Sequence, residues 1–157
     1  MSSSSSSNTN SHLITDDEIE QLRIEVLNAQ SLAYCPYSKF HVGCALLTAS
    51  GKIYRGCNVE NAAYSACICA ERTAITKAVS DGESKFKAIA IITDSTGCAS
   101  PCGVCRQVIR EFAGSNTIGD KKYQLPIIMF NNTTTEKLIK TIDELLPNSF
   151  GPEDLTN

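Results

Sequence analysis

Two short stretches constrain this chain more than anything else in it: Cys69-Ala70-Glu71-Arg72 and Pro101-Cys102-Gly103-Val104-Cys105. Together they offer three soft sulfur ligands for zinc and leave one carboxylate unspent. Cys102 and Cys105 stand three apart, so on a first helical turn their side chains share a face and can grip one ion. Pro101 suits the start of such a turn, where a missing N–H costs nothing. The run from Ala70 to Ile75 also reads as a helix, which sets all three sulfurs near helix N-termini, where the positive dipole end favours thiolate. Residues two apart on an ideal helix point about 200° apart. Cys69 must therefore precede its helix if Glu71 is to approach the same metal. Three protein ligands leave a fourth position open, the pattern of a catalytic zinc, here one ion per chain.

Around these motifs the chain alternates helices and strands. Thr15-Asp16-Asp17-Glu18 is a capping box, and Ile19, Leu22, Val26 and Ala33 follow at helical spacing. The pattern predicts an amphipathic helix to about Tyr34, stopped by Pro36. Residues 40–47 read as a strand, 49–52 as a turn and 53–59 as the hairpin partner. A loop over 60–68 leads into the first cysteine-bearing helix, which ends near Ser80-Asp81-Gly82. The apolar run 88–93 marks a central strand covered on both faces. A loop over 94–100 leads to the second such helix, with Val108, Ile109 and Phe112 on its core face and Gly114 at its end. Pro126 to Phe130 is another buried strand, while Thr133 to Ile139 is either one more strand or a turn at its threonines. Thr141-Ile142-Asp143-Glu144 repeats the capping box and predicts a short helix holding Leu145-Leu146, stopped at Pro147.

These elements imply an α/β fold: a three-layer α/β/α sandwich with a mixed, about five-stranded sheet and the metal at one end of it. Met1 to Leu13 is a Ser/Asn/Thr tract with almost nothing to bury. It is expected to be a disordered tail in which His12 has no role, leaving 14–157 as a single domain.

Charge and cysteine usage exclude other classes. A net charge of −3 argues against an electrostatic nucleic-acid binder. No apolar run approaches the roughly 20 residues of a membrane span, and the opening serines form no basic-then-apolar leader. A cytoplasmic protein is expected. In that compartment eight cysteines are not a disulfide framework. Cys35, Cys44, Cys57, Cys67 and Cys98 are expected to be free thiols, several packed as small hydrophobes.

A Cys-x-Glu followed by Pro-Cys-x-x-Cys resembles the signature of zinc deaminases. Four blocks in one order narrow the resemblance to the small cytidine deaminases: Ser38 to Gly43, Gly56 to Asn61, Cys69 to Ala74 and Leu145 to Leu155. It spans the chain from about Leu22 to Leu155. The resemblance implies the cytidine deaminase fold and hydrolytic deamination of cytidine and deoxycytidine to uridine and deoxyuridine, with loss of ammonia, in pyrimidine salvage. Glu71 would take a proton from the zinc-activated water attacking C4, deliver it to the ring N3 and then help the amine leave. Three thiolates on Zn2+ leave an excess negative charge, which opposes activation of water; Arg72 and the helix N-termini are the expected compensation, with Arg106 a weaker candidate.

The same resemblance assigns the substrate walls. Asn58 and Glu60 are implied to hydrogen-bond the ribose, and the backbone at Ala70 and near Ser100 to read the base edge. Phe40 is implied to lie against the pyrimidine, although a strand aromatic ordinarily packs in a core. The family implies a homotetramer with shared active sites, in which Phe150 reaches a neighbouring subunit. A carboxylate at Glu60 would repel a phosphate, so nucleosides are expected over nucleotides.

Two residues depart from the family pattern. His41 stands where proline is frequent and is read as a strand histidine without a paired ligand. Cys67 stands where glycine is common, and it raises a rival: Cys67, Cys69, Cys102 and Cys105 closing a structural four-cysteine site in a zinc-stabilised binding module. The single residue between Cys67 and Cys69 is a tighter spacer than the two to four of structural sites. A second rival is a deaminase of another base or of a nucleoside analogue such as blasticidin S. Against it, the Asn58/Glu60 and C-terminal blocks resemble cytidine deaminase itself.

Overall fold

A computed structural model describes residues 13–156, so the tail expected over 1–13, with His12, lies outside the described residues except for Leu13. Helix α1 (Asp16–Gln30) starts on its capping box: Glu18 N–H donates to Thr15 Oγ1, and Thr15 N–H to the Glu18 carboxylate at 2.9 Å. It ends at Gln30, a turn before the predicted Tyr34. Tyr34 N–H leaves the helical ladder for Asn58 O at 2.9 Å, and Tyr34 O accepts from Glu60 N–H at 2.8 Å. A tertiary pairing, rather than Pro36, ends the helix.

Strand β1 (Val42–Thr48) and strand β2 (Ile53–Cys57) form the expected hairpin, each shorter than predicted at its site end. Past Cys57 the chain leaves the sheet, because Val59 exchanges both backbone hydrogen bonds with Ile68 at 2.9 Å. Helix α2 (Ala70–Ser80) then leads to strand β3 (Phe86–Thr93), which begins two residues earlier than its apolar run. Helix α3 (Gly103–Glu111) crosses over to strand β4 (Pro126–Phe130), parallel to β3. Residues 132–135 make a turn, with Thr134 at φ 56°, and strand β5 (Lys137–Thr141) follows; both readings of that segment hold, in succession. The short helix α4 (Ile142–Leu145) starts on the second capping box and stops before Leu146.

The five strands lie in the order β2-β1-β3-β4-β5, antiparallel except for the β3/β4 pair. Alternate residues divide the sheet between two cores. Cys44, Leu46, Ile89 and Ile91 pack beneath α2 and α3, and Ala45, Leu47, Ala90 and Ile92 beneath Leu22 and Val26 of α1. Helices on both faces explain why β3 is apolar without a break from Ala88 to Ile92. The layers are therefore α/β/α around a mixed sheet.

Gly56 decides how close α2 can lie. A Cβ there would stand 2.2 Å from Ala70 O and 2.4 Å from Ala74 N, so the first turn of α2 rests directly on the β2 backbone. That contact fixes where the first cysteine-bearing helix begins.

Candidate metal centre and active site

Cys69 is the N-cap of α2, in extended backbone at φ −71°, ψ 155°, and Cys102 is the N-cap of α3 at φ −65°, ψ 165°. Both therefore sit just outside their helices, as the two-residue step to Glu71 requires. Cys105 lies one turn into α3 and is buried, and its N–H donates to Cys102 Sγ at 3.5 Å. The three sulfurs lie within 4.8 Å of one another, with Cys69 Sγ and Cys102 Sγ 3.8 Å apart. Two thiolates on a tetrahedral zinc at about 2.3 Å stand about 3.8 Å apart, so the donor set fits this ion in both chemistry and span.

The sulfurs are electrically unlike. Cys69 is held down at about 5, by hydrogen bonding from the Cys105 thiol and then by Arg72 and Cys102. Cys105 is pushed up, by sharing a proton with Cys69 and by burial. Arg72 reaches back along its own helix, Nη2 donating to Cys69 Sγ at 3.5 Å and to Cys67 O at 3.3 Å. Arg106 does not touch sulfur: it donates to Pro101 O at 2.8 Å, Leu145 O at 2.8 Å and Ser100 Oγ at 2.7 Å. Half-buried, it is not a contact of the cluster but a tie between the α3 entry and the C-terminal segment.

Glu71 is only 4% exposed and lies against Cys105; burial raises its carboxyl above the ordinary range. It lines a cavity of about 330 Å³ that opens beside Cys69 and Cys102 at the site end of β1, β2 and β3. The cavity also takes in Phe40, Asn58, Glu60, Ala70 and Ser100. Phe40 is 42% exposed and belongs to neither core. Thr93, Ile91 and Val42 floor the cavity without any motif to announce them.

Asn58 and Glu60 are engaged by the protein itself. Asn58 Nδ2 donates to Phe40 O at 2.8 Å, and its Oδ1 accepts from Val42 N–H at 2.9 Å. Glu60 accepts from Tyr37 N–H, Ser38 N–H and Ser38 Oγ, and the serine hydroxyl first of all holds its carboxyl below the usual range. Phe150 lies outside this cavity, 58% exposed, with its carbonyl held by Gln107 Nε2 at 3.0 Å.

The two departures resolve differently. His41 precedes β1 rather than lying in it, and it does have a partner: its N–H and Nδ1 both meet Asp94 Oδ2, at 2.7 and 2.9 Å. The β1/β3 register, which pairs Val42 with Thr93, brings these two residues together. Cys67 lines the same cavity as Cys69 and Cys102 but is not one of the clustered sulfurs. Its Sγ accepts from Asn61 N–H at 3.3 Å and lies 3.7 Å from Asn61 O, and it stands outside the three-sulfur group. No disulfide joins any two of the eight cysteines.

Comparison with known proteins agrees with this geometry. Residues 16–118 match the family described as the cytidine and deoxycytidylate deaminase zinc-binding region. Cytidine deaminase of Sporosarcina psychrophila is 48% identical over 139 residues, 88% of this chain and 96% of that one. A probable cytidine deaminase of Dictyostelium discoideum is 41% identical over 90% of each chain. The crystal structure of cytidine deaminase from Burkholderia pseudomallei superposes with a TM-score of 0.76 at 38% identity, over 87% of this chain and all of the other.

Proposed function

The chain belongs to the cytidine deaminase family, and on that premise we propose that it hydrolyses cytidine and deoxycytidine to uridine and deoxyuridine with release of ammonia. One observation carries the reading. Three thiols able to hold a metal meet beside a buried carboxyl, with Cys69, Cys102 and Glu71 on the wall of a cavity, while the Cys67 sulfur stands outside the three-sulfur group and is bonded to Asn61. A closed four-cysteine module would need Cys67 among the ligands, and its sulfur is spent on Asn61.

Cys69, Cys102 and Cys105 would hold the ion. Zinc bound there supplies the acidification that makes water a nucleophile near neutral pH. Glu71 accepts the proton of the attacking water on its carboxylate, passes it to the ring N3 and then assists the departing amine; each transfer restores the form needed for the next. Arg72 offsets the excess negative charge of three thiolates from behind Cys69. Phe40 forms the aromatic wall for the base, with the backbone at Ala70 and Ser100 along its edge. Asn58 and Glu60 face the sugar with the capacity their internal bonds leave free, one amide N–H and the remaining carboxylate lone pairs.

The wider reading is a cytoplasmic homotetramer of nucleoside salvage, with residues 14–157 as one catalytic domain. Unpaired thiols suit a reducing compartment. Tyr34, Tyr37, Tyr64 and Ile68 are exposed, with the Tyr37 and Tyr64 rings 6.0 Å apart and Ile68 on the cavity wall, and such apolar surface suits coverage by another copy. Phe150, exposed on a pinned backbone, is the residue offered to a neighbour's site.

The test is an ultraviolet assay of cytidine, deoxycytidine and cytidine monophosphate with purified protein, with zinc measured on the same sample. Turnover of the two nucleosides at about one zinc per chain is expected. Glu71→Gln should keep its zinc and lose turnover roughly a thousandfold. Substantial activity in that variant would remove Glu71 from the proton path, and zinc without nucleoside turnover would sink the deaminase reading.

A further inference from the structure

Phe40 stands on a segment that belongs to neither α1 nor β1, and its ring is not held by a core. Residue 39 adds strain, because Lys39 adopts φ 58°, a left-handed conformation that non-glycine residues seldom take. Such a backbone persists only where its surroundings over-determine it. Here two side chains bracket it. On one side, Asn58 spans Phe40 O and Val42 N–H. On the other, Glu60 Oε2 accepts from Tyr37 N–H at 3.0 Å and Ser38 N–H at 3.2 Å, while its Oε1 accepts from Ser38 Oγ.

Ser38 closes the bracket. Its hydroxyl gives its proton to Glu60 and accepts, at 3.1 Å, from the N–H of Phe40. One oxygen thus joins the carboxylate of one cavity wall to the backbone under the aromatic ring of another. Ser38 itself does not line the cavity.

The geometry points to Ser38 as a positioning residue for nucleoside binding, whose hydroxyl sets the spacing between the Glu60 carboxylate and the Phe40 ring. The inference rests on the deaminase reading of the same cavity and extends it to a residue that touches neither metal nor substrate. A nucleoside presents base and sugar at a fixed separation, so two walls of fixed spacing bind it without rearrangement. Because Ser38 does not line the cavity, its loss weakens binding of ground and transition states alike.

Steady-state kinetics on cytidine test this with Ser38→Ala, Ser38→Thr, Phe40→Ala and the Ser38→Ala/Phe40→Ala pair. Ser38→Ala should raise KM about tenfold, the worth of one hydrogen bond to a charged group, with zinc per chain unchanged. Its kcat should stay within about twofold, the mark of lost uniform binding. Ser38→Thr keeps the hydroxyl and should restore KM, whereas a merely structural role would not distinguish alanine from threonine in this way. With the Phe40 ring already removed, Ser38→Ala should cost much less than it does alone. An unchanged KM in Ser38→Ala, no rescue by threonine, or penalties that multiply in full would each overturn the proposal while leaving a working deaminase. Wild-type protein inactive on cytidine would overturn the deaminase reading and this inference with it.

Discussion

A guanidinium taken out of water needs partners, and Arg110 finds them 39 to 43 residues further along the chain. It is 1% exposed on α3, with Nε donating to Ser149 Oγ at 2.7 Å, Nη2 paired to Glu153 and its plane 3.5 Å from the Tyr123 ring centroid. Gly151 packs against the same group: a Cβ at that position would lie 2.4 Å from Nη1. Arg110, and then the Tyr123 hydroxyl, hold the Glu153 carboxyl down at about 2, against an ordinary value of 4.5. A depressed carboxylate stabilises the fold fully above its unfolded value and loses that contribution as pH falls through its folded one. Wild-type protein should therefore melt a few degrees above Glu153→Gln near neutral pH, and the gap should close between about pH 4.5 and pH 2. Metal loss in acid affects both proteins, so only the difference reports on Glu153. Melting curves followed by circular dichroism would decide it: a gap that is constant with pH means that the ion pair is not the source.

Among the elements, the contact of α2 on β2 matters most, because α2 carries Cys69 and Glu71 at its start. Gly56→Ala would push a methyl into Ala70 O and Ala74 N, backbone atoms that cannot swing aside. It should cost about 1–3 kcal/mol in urea unfolding and shift Cys69 enough to lower zinc per chain. Gly114→Ala, which meets nothing within 4 Å, is the control expected to match wild type. Equal midpoint and zinc content in both would show that α2 tolerates displacement. The same contact marks what a sequence can and cannot disclose. Local chemistry was readable: the capping boxes at Thr15 and Thr141, the Pro-Cys opening of α3, the continuous apolar run of β3. Spacing alone suggested three sulfurs able to share an ion. Illegible were the features set by distant partners. Helix α1 stops early because Tyr34 pairs with Asn58; His41 meets Asp94 only through the β1/β3 register; Arg106 and Arg110 reach across to the C-terminal segment. The resemblance implies sugar contacts for Asn58 and Glu60, and no periodicity reveals that the two side chains brace residues 37–42.

At the scale of the whole molecule, Phe150 poses the remaining question, since a pinned backbone carrying an exposed ring serves no purpose visible within one chain. Helix α3 grips the segment at three points, through Arg106 to Leu145, Gln107 to Phe150 and Arg110 to Ser149 and Glu153. A segment held so firmly is not a frayed terminus. If its ring completes the site of a neighbouring copy, then Glu71 and Phe150 of any one site come from different chains, and two crippled chains can repair each other. Glu71→Gln and Phe150→Ala chains, each of low activity alone, should regain it when co-expressed in equal amounts and purified together. Random assembly gives about a quarter of the sites an intact Glu71 in their own chain and an intact Phe150 from the neighbour, and activity should approach that fraction of wild type. Sedimentation of the same sample supplies the oligomeric state. Activity no greater than the sum of the separate variants, or an active monomer, would confine Phe150 to its own chain and leave the clasp on α3 as a device for stability alone.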